Sequence, residues 1–170
     1  MFPHKNQTAL DVGGHIGTTC LPYSKLYKNI YTFEPNKESY NFLVENILLN
    51  NLFQKIHPYL NGVYNKSTFC KVVKHSNANS GCFMIQEVLE KETDDGSAIQ
   101  VVKLDDISKD FTGSIDFLKI DTEGSELYVL EGAFDILKTH KPLIQVETNE
   151  LSKQFIFLLP KRYPMYNTTH

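Results

Sequence analysis

The sequence predicts an α/β fold, a mainly parallel twisted sheet flanked by helices. Three observations carry that prediction. Short apolar runs alternate with segments of helical apolar period, the pattern of βαβ units. The first run, in TALDVGGHIGTTC at 8–20, ends on two adjacent glycines with a third shortly after. Several of the runs are followed directly by a carboxylate, at Glu34, Asp121 and Glu147, with Asp11 just ahead of the first glycines.

Ala9–Val12 reads as a brief strand and Ile16–Tyr27 as a helix, with Pro22 in its first turn or kinking it. Ile30–Phe33 is a second strand, stopped by Pro35. Lys37–Asn50 has the helical spacing at Tyr40, Phe42, Leu43, Val44, Ile47 and Leu48. Further strands are expected at Ile56–Leu60, Val63–Tyr64, Thr68–Val73, Cys82–Val88 and Ile99–Leu104, separated by a turn-rich SNANSG loop at 76–81 and an acidic EKETDDGS connection at 90–97. Ile115–Ile120 is an apolar strand running into Asp121. Ser125–Leu137 is an amphipathic helix, and Pro142–Val146 a last strand running into Glu147.

The 170 residues predict one domain over 1–170. A net charge of −3, with 17 basic and 20 acidic residues interspersed, offers no basic stripe for a phosphate backbone and argues against a nucleic-acid partner. Cys20, Cys70 and Cys82 form no CxxC pair and read as buried small hydrophobes. With no signal peptide and no apolar run of membrane length, the expectation is a cytoplasmic protein without a membrane span. The aromatic residues follow the helix and strand periods and read as core.

In open parallel sheets, ligands lie outside the carboxyl ends of the strands. A strand, a glycine turn and a helix start offer free backbone N–H groups and space for a ligand against the chain. GGHIG is short of the full dinucleotide fingerprint. Glu34, 23 positions beyond Asp11, is placed to accept both hydroxyls of an unphosphorylated ribose. Carboxylates beside the turn favour a ligand with positive charge over a pyrophosphate. The turn is therefore read as a cradle for S-adenosyl-L-methionine.

DVGGHIG at 11–17, TFEPN at 32–36, DFLKIDTEGSELYVLEGA at 116–133 and KPLIQVE at 141–147 resemble the FkbM-type methyltransferases, within the class I S-adenosylmethionine-dependent superfamily. The K-I-D-x-E-G block is the specific part, and Asn46–Asn50 adds an N-x-x-x-N stretch. The resemblance implies the Rossmann-like class I methyltransferase fold. It implies an amino-acid and ribose cradle from Asp11, Gly13, Gly14, His15 and Gly17, ribose binding by Glu34, and an adenine side from Pro35, Asn36, Asn61 and Gly62. Asp121 would lie beside the methionine moiety and Glu123 near the reacting centre, with Asn77–Gly81 over the pocket. The family commonly has Ala-Asn where this chain has Gly14-His15. The usual closing hairpin is expected to be short or missing, since 155–170 holds Pro160 and Pro164.

Methyl transfer to a hydroxyl needs alignment and a proton acceptor, and Asp121, Glu123 and Glu147 are the candidates, with His75 behind them. Glu126 reads as a helix cap or a solvated acid. Asp121, Glu147 and Asn149 would offer three oxygens to magnesium, but the spacing is not diagnostic and no metal is assigned. The expected activity is O-methylation of a sugar, glycan or small molecule. Two alternatives are a ribose 2′-O-methyltransferase, for which Lys5, Asp121, Lys138 or Lys141 and Glu147 would have to serve, and a catalytically silent cofactor-binding module.

Overall fold

Two sheets build the chain. The computed structural model describes residues 6–74, 83–88, 98–122 and 124–146, of which 72–74 and 83–88 are described in their backbone alone. The first sheet holds β1 (Thr8–Val12), β2 (Asn29–Phe33), β3 (Ile56–Tyr59), β8 (Ile115–Ile120) and β9 (Leu143–Val146) in the order β3-β2-β1-β8-β9. Every pairing in it is parallel, so all its carboxyl ends open on one edge. The second sheet, ordered β4-β7-β5-β6, joins β4 (Gly62–Val63), β5 (Thr68–Lys74), β6 (Phe83–Val88) and β7 (Ala98–Val102). Its β5 is antiparallel to both neighbours, while β4 and β7 run parallel. The sequence supplied these strands singly; nothing in their periodicity announced a separate sheet.

The three central strands, β1, β2 and β8, are buried on both faces, which is why they read as unbroken apolar runs. Ala9, Ile30, Ile56 and Phe117 point to one face and pack with Leu43 and Ile47 of α2 (Lys37–Leu49) and Cys20 of α1 (Cys20–Tyr23). Leu10, Val12, Tyr31, Phe33, Leu118 and Ile120 point to the other, against Val129 and Leu130 of α3 (Glu126–Gly132) and Ile136 and Leu137 of α4 (Phe134–His140).

The helices depart from expectation in two places. The first is a single four-residue turn, Cys20–Tyr23: Pro22 has no N–H to give the Thr18 carbonyl, so the helix cannot begin at Ile16, and beyond Tyr23 the chain tightens to turns in which Lys25 and Leu26 donate three residues back, to Pro22 and Tyr23. The helix expected over 125–137 is two helices broken at Ala133. Gly132 lies so close to the Tyr64 carbonyl that a Cβ there would overlap it. Asp105 restarts the chain as α4: its carboxylate accepts the N–H groups of Asp135 at 3.1 Å and Ile136 at 3.0 Å, the service of an N-cap. α2 starts where Asn36 accepts the Ser39 N–H at 3.0 Å. Of its apolar residues only Leu43 and Ile47 are buried, and Phe42, Leu48 and Leu49 are exposed. The SNANSG loop, the 90–97 connection and everything from Glu147 onward, including the expected closing hairpin, lie outside the described residues.

Candidate functional site

The chain turns sharply as it leaves β1. Gly13 has φ +84°, the left-handed region, and a Cβ there would overlap the Asp121 carbonyl oxygen. A Cβ on Gly14 would overlap the Thr32 hydroxyl. His15 follows with φ +48°, a conformation that histidine and asparagine tolerate better than most side chains. The glycines are thus required by neighbouring protein as well as by any ligand.

The N–H groups of this turn answer the expectation of free donors with a correction. Gly13 and Gly14 both donate to the Phe33 carbonyl at 3.0 Å, and Gly17 donates to the Gly14 carbonyl at 2.9 Å. His15 donates to Glu34 Oε2 at 2.8 Å. Parallel β1 and β2 end side by side, so the donors fold onto the β2 terminus. A pyrophosphate would find all four already engaged.

Glu34 is nearly buried and bridges two loops. Its second oxygen accepts the Asn36 N–H at 2.8 Å, tying the turn after β1 to the start of α2. Each carboxylate oxygen retains accepting capacity toward a further hydroxyl. Asn46 Nδ2 donates to the Ile16 carbonyl at 2.8 Å and fixes the far side of the turn.

These elements border a cavity of about 490 Å³ at the carboxyl edge of the first sheet. Of the residues singled out from sequence, Gly13, His15, Glu34, Pro35, Asn36, Asn61, Gly62 and Asp121 line it. Asp11, Gly14 and Gly17 do not. Asp11 lies one layer beneath, where Thr32 donates to its Oδ2 at 3.1 Å and the Lys119 ammonium stands 3.3 Å from Oδ1. Burial pushes its carboxyl up, against the Lys119 charge and the Thr32 hydrogen bond. Glu123, Glu147, His75 and the 77–81 loop lie outside the described residues.

Sequence reasoning missed the apolar walls. Val12 and Phe33 close the cavity from the first sheet, and Val63, Ile99 and Val101 from the second. The signal lay in alternation: Ile99 and Val101 are two apart in β7 and share a face. Ser39, Thr122 and Ser125 complete the polar side. Glu126 was misread as a cap or solvated acid. It is only 2% exposed, and its Oε1 accepts from the Thr122 N–H at 3.2 Å, the Thr122 hydroxyl at 2.9 Å and the Gly124 N–H at 2.9 Å. It ties Thr122, which lines the cavity, and Gly124 to the start of α3.

The donor set fits S-adenosylmethionine. Glu34 suits ribose hydroxyls, and the apolar walls beside Asn61 suit a flat heterocycle. Asp121, exposed at the rim, suits a cationic end. Among the described residues there is no group of three His, Cys, Asp or Glu side chains arranged to hold a metal, and no helix long and apolar enough to cross a membrane.

Comparison with solved structures places this arrangement among methyltransferase folds. The methyltransferase FkbM from Methylobacillus flagellatus KT superposes with a TM-score of 0.65 at 19% identity, over 92% of this chain and 38% of that one. The precorrin 8w decarboxylase of Methanobacterium thermoautotrophicum superposes with a TM-score of 0.51 at 17% identity, over 91% of this chain and 61% of that one. The chain therefore spans less than two thirds of the length of either. A comparison with curated proteins gives no match. The sequence itself matches the Methyltransferase FkbM domain over residues 11–166. With nearly its whole length inside that match, and with the Rossmann-like class I fold and a cavity suited to the family's S-adenosylmethionine cofactor, the chain belongs to the FkbM methyltransferase family.

Proposed function

We propose that the chain transfers a methyl group to a hydroxyl oxygen of a sugar, glycan or other small molecule, as a single domain over 1–170. One observation carries the reading: the cavity presents two carboxylates, Glu34 and Asp121, while the N–H groups of Gly13, Gly14, His15 and Gly17 are engaged within the protein. Such a site repels a phosphate and attracts a ligand with hydroxyls at one end and positive charge at the other. S-adenosylmethionine, when bound, supplies an electrophilic methyl on a sulfonium.

The chain's own residues do the rest. Glu34 accepts the ribose hydroxyls, Val101 and Ile99 cover the base, and Gly13 keeps the backbone thin where the ligand passes. Asp121 orients the cationic end. Glu147, directly after β9 in sequence, takes the proton of the acceptor hydroxyl on its carboxylate as the oxygen attacks in line, and Glu123 is its alternate. Bound S-adenosylmethionine would give up its methyl to the attacking oxygen and be left as the neutral sulfide, while the carboxylate would keep the acceptor's proton.

Single-turnover transfer of isotopically labelled methyl to a panel of hydroxyl-rich acceptors tests this. Asp121→Asn is nearly isosteric at an exposed position, so the fold should persist. The rate should fall by about 10²-fold or more, because the lost charge acts at the reacting end. Glu147→Gln should cost on the order of 10²–10⁴. Wild-type rates in both variants would remove the carboxylates from catalysis, and labelling of amine acceptors alone would overturn O-transfer.

A further inference from the structure

The reading above leaves one charged side chain without a task. Lys119 sits in β8 with its side chain 8% exposed, an unusual place for an ammonium. Register sets it beside Asp11, and Asp11 beside Thr32, so the three form one row across the parallel sheet. The ammonium carries three protons. Within reach are the Gly13 carbonyl at 3.1 Å, Asp11 Oδ1 at 3.3 Å and Asp121 Oδ2 at 3.3 Å. A lysine serving only to neutralise a buried aspartate need touch neither of the other two. Those two belong to the cavity: Gly13 and Asp121 both line it, and the Asp121 side chain is 46% exposed against 1% for Asp11.

We propose that Lys119 is a positioning residue of the cofactor site. It fixes the Gly13 carbonyl and the Asp121 carboxylate from beneath and offsets part of the Asp121 charge. It thereby sets how strongly the site prefers a sulfonium ligand over the neutral sulfide that transfer leaves behind. This rests on the cavity being the S-adenosylmethionine site. S-adenosylmethionine and S-adenosylhomocysteine differ by one methyl and one positive charge. The ratio of their affinities therefore reports the charge balance facing the ligand, while a general loosening of the turn weakens both alike.

Calorimetric titration of the full chain with each ligand tests the proposal. Removing one partner of a buried ion pair is strongly destabilising, whereas replacing both is tolerated. The informative variant is accordingly Lys119→Met combined with Asp11→Asn, in which the amide oxygen still accepts from Thr32. Both affinities should fall as the turn loosens, and the ratio favouring S-adenosylmethionine should rise by about threefold to tenfold as Asp121 loses its counter-charge. Asp121→Asn should move the ratio the other way. An unchanged ratio in the double variant makes Lys119 a purely structural lysine and overturns the proposal. If the double variant does not fold, the wild type decides: the ¹H–¹⁵N resonance of the Lys119 ammonium should shift with S-adenosylmethionine and less with S-adenosylhomocysteine, and a resonance that neither ligand moves overturns it. A wild-type chain that binds neither ligand overturns the cofactor reading, and this proposal with it.

Discussion

Glu34 shows how much one side chain can be asked to do. Its two oxygens already hold the backbone N–H groups of His15 and Asn36, so the carboxylate shapes the cavity before it meets a ligand. Glu34→Ala should weaken S-adenosylmethionine binding by about 1.5–3 kcal/mol, the range for hydrogen bonds to a charged group. Unchanged affinity by calorimetry would remove Glu34 from the ribose position. The residue's importance was legible from its place after β2, but its bond to His15 was not, since that depends on a histidine backbone at φ +48°. His57 offers a test of a different kind. It stacks on Tyr31 with ring centroids 4.7 Å apart, and burial holds its imidazole below the ordinary 6.5. Below pH 6.5 the unfolded chain then binds more protons than the folded one. Stability should fall as the pH drops from there through the lowered value. His57→Phe keeps the stacked ring and abolishes the titration, so its Tm should decline less steeply over that interval. Parallel curves for the two proteins would assign the acid sensitivity to other groups.

At the scale of elements, the β8–α3 connection and the start of α4 are each organised by one buried or half-exposed acid. Helical period placed Val129, Leu130, Ala133, Ile136 and Leu137 correctly, because both helices present the same face to the sheet, whereas Phe134 is exposed. Period could not show the break at Ala133, whose causes are the Tyr64 carbonyl pressed on Gly132 and the Asp105 carboxylate from a distant loop. Those are tertiary contacts, and a local pattern has no access to them. Asp105→Ala should cost about 0.5–2 kcal/mol of stability, the value of an N-cap, with a lower urea midpoint and little change in slope. A midpoint equal to wild type would show that α4 starts without its cap. The Glu126 misreading has the same origin: an acid in a first helical turn looks like a cap, and only the contacts with Thr122 and Gly124 show three donors converging on one oxygen.

Across the whole molecule, the first sheet was legible as a sheet, whereas the strands of the second were legible singly and their assembly was not. The doubly buried β1, β2 and β8 leave continuous apolar runs that end where the ligand edge begins, so they, and the part-buried β9, were recognisable with their last residues. The second sheet has a β7 that is only partly buried and a β4 two residues long. It nevertheless supplies Val63, Ile99 and Val101 to the cavity, so half of the apolar wall escaped a reading that followed the glycine turn and the acids. The central claim is that this cavity takes a cationic, hydroxyl-bearing nucleoside in preference to a pyrophosphate. Calorimetric titration with S-adenosylmethionine and, side by side, with NAD measures that preference most directly. The account predicts saturable one-to-one binding of S-adenosylmethionine and no measurable heat with NAD at the same concentrations. Binding of NAD with equal or greater affinity would contradict it.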